Sequence, residues 1–170
     1  MWPFVFLLAL LGCPANDADT DVDVVALPDP GPVQVGVATA RMPIPVGIGT
    51  AGFNPLGVPN NGSPFVELFP ATEFVHSHPD FRAVWISRGQ PYDVVFLRID
   101  AVGVYQQLRT GVVEAFEERT GIDLDDSLIM AATHTHSGPG RLIDLGGVAD
   151  LATDKFYPEH YDRMLTSMVD

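Results

Sequence analysis

The apolar positions of the chain change period several times, and each change predicts an element. Val33 to Ala38 alternates weakly and predicts a first strand. Phe81 to Ser87, carrying Val84, Trp85 and Ile86, predicts a second, and Arg88-Gly89-Gln90-Pro91 after it suits a hairpin turn. Val94 to Ile99 is a nearly continuous apolar run, the pattern of a strand buried on both faces. From Val102 to Arg119 the period lengthens. Val104, Leu108, Val112, Ala115 and Phe116 share one helical face, with Gln106, Gln107, Arg109, Glu114, Glu117 and Glu118 elsewhere, and Gly121 is placed to end the helix. Leu128 to Ala132 is a further short buried strand. Strand, helix and strand within about 40 residues make a βαβ unit, so the strands at Val94 and Leu128 are expected to be parallel, either adjacent or with a third strand between them. The fold class is therefore α/β, with a mixed or mainly parallel sheet. Pro158 suits the first turn of a last helix, striped by Tyr161, Leu165 and Met168.

The connections are as informative as the elements. Two prolines in Arg41 to Gly47 remove ladder donors and exclude a central strand. Residues 49 to 64 are rich in glycine, proline and asparagine, with a turn expected at Asn60-Asn61-Gly62. At the N-terminus, Trp2 to Leu11 is an apolar run too short to span a bilayer but suited to a signal peptide. It closes on Leu10-Leu11-Gly12-Cys13, which resembles a bacterial lipobox, so Cys13 is expected to be lipidated and to hold the protein at the cell envelope. An ordinary cleaved signal and a secreted protein are the alternative, and no Lys or Arg precedes the run. Asp17, Asp19, Asp21 and Asp23 alternate with small or apolar residues before Pro28-Asp29-Pro30-Gly31-Pro32. Self-repelling charge and proline both favour an extended chain. Residues 1–13 thus read as export signal, 14–32 as a disordered tether and 33–170 as folded.

Length and composition narrow the function. A chain of 170 residues with 46% hydrophobic positions is enough for one domain with a core. Nine Lys and Arg against 22 Asp and Glu leave a net charge of −13, which excludes nucleic acid as a partner, because phosphate neutralisation needs clustered cations. A single cysteine excludes an intramolecular disulfide and a cysteine-based zinc site. No phosphate loop, nucleophile elbow or dinucleotide fingerprint is present.

Candidate chemistry gathers at the carboxyl ends of the last two central strands, the edge where open α/β sheets bind ligands. Asp100 follows one strand. Thr133-His134-Thr135-His136-Ser137-Gly138-Pro139-Gly140 follows the other. On an extended segment, side chains two apart point the same way, about 6 to 7 Å apart. Two such imidazoles can share a metal ion, or one can hold it while the other touches substrate. Thr133, Thr135 and Ser137 are placed to hydrogen-bond the rings, and the glycine–proline turn lets backbone approach a ligand. The plainer reading is a pair of histidines ending a strand without metal. Asp100 is either a cap on the following helix or a carboxylate near His134. His76 and His78 repeat the spacing in a polar loop and read as solvated, His160 reads as surface, and Glu114, Glu117 and Glu118 read as a solvated helix face.

The string from Thr133 to Gly140 resembles the signature of the neutral/alkaline (non-lysosomal) ceramidase family, in its N-terminal catalytic domain. Gly36-Val37-Ala38, Pro43 to Gly47, Ala51-Gly52-Phe53, Phe81-Arg82-Ala83-Val84, and Asp100 with Gln106 and Arg109 resemble further features of that family in the same order. The resemblance implies a zinc-dependent amidohydrolase that splits the N-acyl amide of a lipid, ceramide, into sphingosine and a fatty acid. It implies His134 as a zinc (Zn2+) ligand, with His136 beside metal and substrate. Zinc would lower the pKa of its water towards about 7 and polarise the amide carbonyl, while a neighbouring group carries a proton to the leaving amine. The family's other ligands lie further downstream than Asp170, which implies that residues 33–170 are part of a longer catalytic domain and inactive alone. Arg141 and Ala132 stand where the family often has glycine, and Arg141 is expected to narrow or charge the mouth of the site. Two rivals follow: a non-catalytic, surface-anchored binding lipoprotein, and a zinc hydrolase of the same family acting on another lipid or amide.

Overall fold

The computed structural model describes residues 29–52, 62–144, 146–147 and 153–170. The export segment with Cys13, the tether up to residue 28 and the expected turn at Asn60-Asn61 lie outside the described residues. In chain order the elements are β1 (Gln34–Arg41), β2 (Asp80–Ser87), β3 (Val94–Ile99), α1 (Gln106–Thr120), β4 (Leu128–Ala132) and α2 (Pro158–Val169). They form one mixed sheet in the order β1-β2-β3-β4. β1–β2 and β2–β3 are antiparallel and β3–β4 parallel, so the two strands of the βαβ unit are direct neighbours with no strand between them.

The register explains the burial. Phe81, Ala83 and Trp85 of β2, Val95, Leu97 and Ile99 of β3, and Leu128, Met130 and Ala132 of β4 share the face under the helices. Against them lie Leu108, Val112 and Val113 of α1 and Met164 of α2, all buried. The opposite face carries the row Val37–Val84–Phe96–Ile129, in which Val37 is 79%, Phe96 45% and Ile129 50% exposed. The continuous apolar run of β3 is therefore buried on one face only, contrary to the sequence reading, because both described helices cover the same side.

Helix ends follow local chemistry. α1 begins at Gln106 rather than Val102, and its N-cap, Tyr105, makes no side-chain cap bond. Gly121 closes it in the left-handed region (φ 73°), where a residue without Cβ is unstrained, and its N–H donates to Glu117 O. α2 crosses α1 at Gly111: the Tyr161 hydroxyl donates to Gln107 O at 2.9 Å, and Leu165 packs beside it. His160 is buried, 1% exposed, rather than on the surface as its helical position predicts.

The histidine pair at the end of β4

Regular β4 stops at Ala132. Thr133 N–H still donates to Ile99 O at 3.0 Å, and then the chain turns, because His134 is left-handed at φ 60°. The extended geometry expected of the His-x-His segment is thus replaced by a bend. Histidine enters the left-handed region more readily than most residues, and such strain gathers at functional sites. The bend brings the two rings together edge to face, centroids 4.9 Å apart and planes at 77°. His134 is exposed and His136 half-buried.

His134 Nδ1 lies 2.5 Å from the Val102 carbonyl oxygen. A carbonyl only accepts, so Nδ1 carries a proton; in the neutral ring this leaves the lone pair on Nε2, the form in which histidine ligates metal. Of the three hydroxyls placed to fix the rings, Thr135 Oγ1 accepts from Ser137 N–H at 3.2 Å, bracing the turn.

The seat of His136 is built from a distant segment. Ala51 N–H donates to Gly138 O at 3.1 Å, Gly140 N–H donates to Gly49 O at 2.8 Å, and Thr50 bridges to Pro139. This short ladder carries Gly52, at φ 89°, against the His136 ring, and a Cβ on Gly52 would fall inside the imidazole. A Cβ on Gly138 would lie 2.7 Å from Asp100 O. The ends of β3 and β4 and the loop before residue 53 therefore meet at one place.

Asp100 is neither a helix cap nor bonded to His134. Its Oδ2 accepts from Asp80 N–H at 3.0 Å and from Arg98 Nη2 at 3.2 Å, and Arg98 also pairs with Asp80. Asp80 in turn accepts from Arg82 at 2.9 Å, and that bond holds its carboxyl below the usual range. Arg141 is not at the mouth of the site. It is 5% exposed and left-handed (φ 62°), its guanidinium donates to the carbonyls of Phe65 and Lys155, and it lies over the Tyr157 ring.

His76 is exposed, as its reading as a solvated residue expects, and lines a cavity of about 350 Å³ together with His136. His78 is exposed and does not line it. The sequence signal for His76 is its repeated His-x-His spacing. Nothing local to Val102 or Gly52 announces their contacts with the two rings.

Among the described residues no group of three His, Cys, Asp or Glu side chains could hold a metal ion. A catalytic zinc takes three protein ligands and a water. The pair therefore fits zinc in chemistry and tautomer and falls short in number.

The sheet and the turn at its end define an α/β protein whose strand ends carry a histidine pair. Solved structures share this fold. Neutral ceramidase from Pseudomonas aeruginosa superposes with a TM-score of 0.65 at 21% identity over 83% of this chain, and a ceramidase complexed with C2 with a TM-score of 0.63 at 20% identity over 83%. The chain spans about a fifth of their length, 21% and 20%. The resemblance read from the motifs is thus matched by fold. No family model matches the chain, and no curated protein sequence matches it.

Proposed function

We propose that this chain is the histidine-bearing part of a zinc-dependent amidohydrolase of the ceramidase type, acting on the N-acyl amide of a ceramide-like lipid. The observation that carries the reading is the His134–Val102 bond, which leaves Nε2 able to ligate, with a second imidazole 4.9 Å away. The ceramidase fold supports it. His134 would hold the metal through Nε2, with further ligands from outside the described residues. When bound, zinc supplies an activated water and a polarised carbonyl. His136 is the group assigned to carry the proton: the attacking water gives hydroxyl to the acyl carbon, the C–N bond breaks, and the proton passes to the leaving nitrogen. Asp100 acts through its backbone, against which Gly138 packs. Arg141, tied inside the domain, gives no reason to exclude a bulky lipid.

The test is metal analysis of the full-length gene product, with His134→Ala beside it. Stoichiometric zinc, lost in the variant together with hydrolysis of N-acyl sphingosine, is the expected result. A full-length protein that binds no metal would instead favour the anchored binding protein. Zinc without ceramide hydrolysis would favour another amide, found by a panel of N-acyl substrates. Export and lipidation at Cys13 belong to the same proposal: acyl label should enter the wild type in a bacterial host and be absent from Cys13→Ser.

A further inference from the structure

The cavity beside His136 has an uneven chemistry. Its polar lining is His76 and Ser77 from the segment before β2, His136 and Ser137 from the turn after β4, and Thr50 and Thr72. Among the described residues no carboxylate, ammonium or guanidinium lines it. The rest is apolar, including Phe74, which is 70% exposed. A pocket of hydroxyls and imidazoles without formal charge suits a neutral, hydroxylated head, since burying a charged one there would leave it unpaired.

His76 is held for such a task. Its segment is pinned at one end by Thr72, whose N–H donates to Ile48 O at 2.9 Å and whose carbonyl accepts from Gly47 N–H at 2.8 Å. The other end is pinned by Pro79 O, which accepts from Met42 N–H at 3.0 Å. A neutral imidazole donates through one nitrogen and accepts through the other, which matches a hydroxyl group.

We propose that His76 is the specificity-determining residue of the site, hydrogen-bonding a hydroxyl of a neutral N-acyl amino alcohol whose head lies in the cavity shared with His136. This rests on the hydrolase reading above. A site built to hydrogen-bond a hydroxyl rejects analogues lacking it, and an uncharged one also rejects phosphate.

The experiment uses the full-length protein and three soluble probes: a short-chain N-acyl-2-amino-1,3-diol, its deoxy analogues, and its phosphate monoester. Binding is followed by calorimetry and hydrolysis by amine release. The wild type should favour the diol over the phosphate and over at least one deoxy analogue. His76→Phe should weaken diol binding about 2- to 10-fold and erase the preference over that analogue, in line with the loss of one hydrogen bond. His76→Gln should restore part of it, and His78→Phe should change nothing. Equal losses on every probe in His76→Phe, or an unchanged preference, would overturn the assignment while leaving the hydrolase standing. Binding with the expected preference but no amine release would sink the hydrolase reading and keep the role of His76. A wild type that binds none of the probes would overturn both.

Discussion

At the scale of single residues, the site depends on side chains that are absent or displaced. Gly52→Ala places a methyl group where the His136 ring lies, on a residue at φ 89°. Overpacking of this kind costs about 1–3 kcal/mol, and a reacting group moved by about 1 Å loses about 10²-fold in rate. Gly62→Ala is the control: φ is 82° but nothing lies within 4 Å, so it carries only the left-handed strain of about 1–2 kcal/mol. On the hydrolase proposed above, full-length protein with Gly52→Ala should therefore lose hydrolysis of N-acyl sphingosine well beyond its loss of stability, and Gly62→Ala should not. Equal activity in the two variants would mean that His136 does not work from this seat. The sequence made the histidines visible because their spacing and glycine turn are local. It left Val102 and Gly52 silent because a carbonyl acceptor and a missing methyl have no signature of their own. The spacing argument reached the right neighbours through the wrong geometry, since the rings meet across a left-handed bend and not along an extended strand.

At the scale of elements, the period changes located β2, β3, α1, β4 and α2 to within a few residues, because each buries one side against the same core. They could not assign His160, whose burial depends on what α2 packs against. Both of its ring nitrogens are buried without a hydrogen-bond partner among the described residues, in a small cavity of about 120 Å³ that Tyr157, Glu159 and Arg163 also line. Burial, with Arg163 and Arg141 nearby, pushes its pKa down from 6.5 to about 4. The folded state thus keeps the ring neutral while the unfolded chain protonates it first. Stability is complete above about pH 6.5 and falls as pH descends towards 4, by about 2 kcal/mol at pH 5. Glu67 and Asp80, whose carboxyls are held low chiefly by hydrogen bonds from Lys155 and Arg82, lose their contribution only at more acid pH. Urea unfolding at pH 7 and pH 5 isolates the histidine: the wild type should lose about 2 kcal/mol between them and His160→Leu should lose little. With no hydrogen bond to forfeit, the variant should match or exceed the wild type at pH 7. A variant with the wild-type slope would locate the titration elsewhere. Gly111 makes a second check on the same helix pair. A Cβ there meets the Tyr161 hydroxyl and both Leu165 methyls, so Gly111→Ala should lower stability by about 1–3 kcal/mol, although alanine is the better helix former.

At the scale of the whole molecule, the described chain is a sheet with helices on one side only. The row Val37–Val84–Phe96–Ile129 and the neighbouring pair Val35 and Ile86 lie on the other side, with Val35 63% and Ile86 37% exposed. β1 and β4 are both edge strands. Contiguous apolar surface beside open strand edges drives association. The formal charge of −13 opposes it, and salt shortens the reach of that repulsion from about 30 Å at 0.01 M to about 3 Å at 1 M. The 170-residue chain should therefore self-associate in light scattering as concentration rises, and more strongly at high salt. Were charge pairing between copies responsible, salt would disperse the assemblies. Val37→Lys with Phe96→Lys, both on the open face, should keep the chain monomeric at the same far-ultraviolet circular dichroism. A chain that stays monomeric without them at high salt would mean that this face needs no cover, and that the fifth of the ceramidase fold described by these residues is self-sufficient in water.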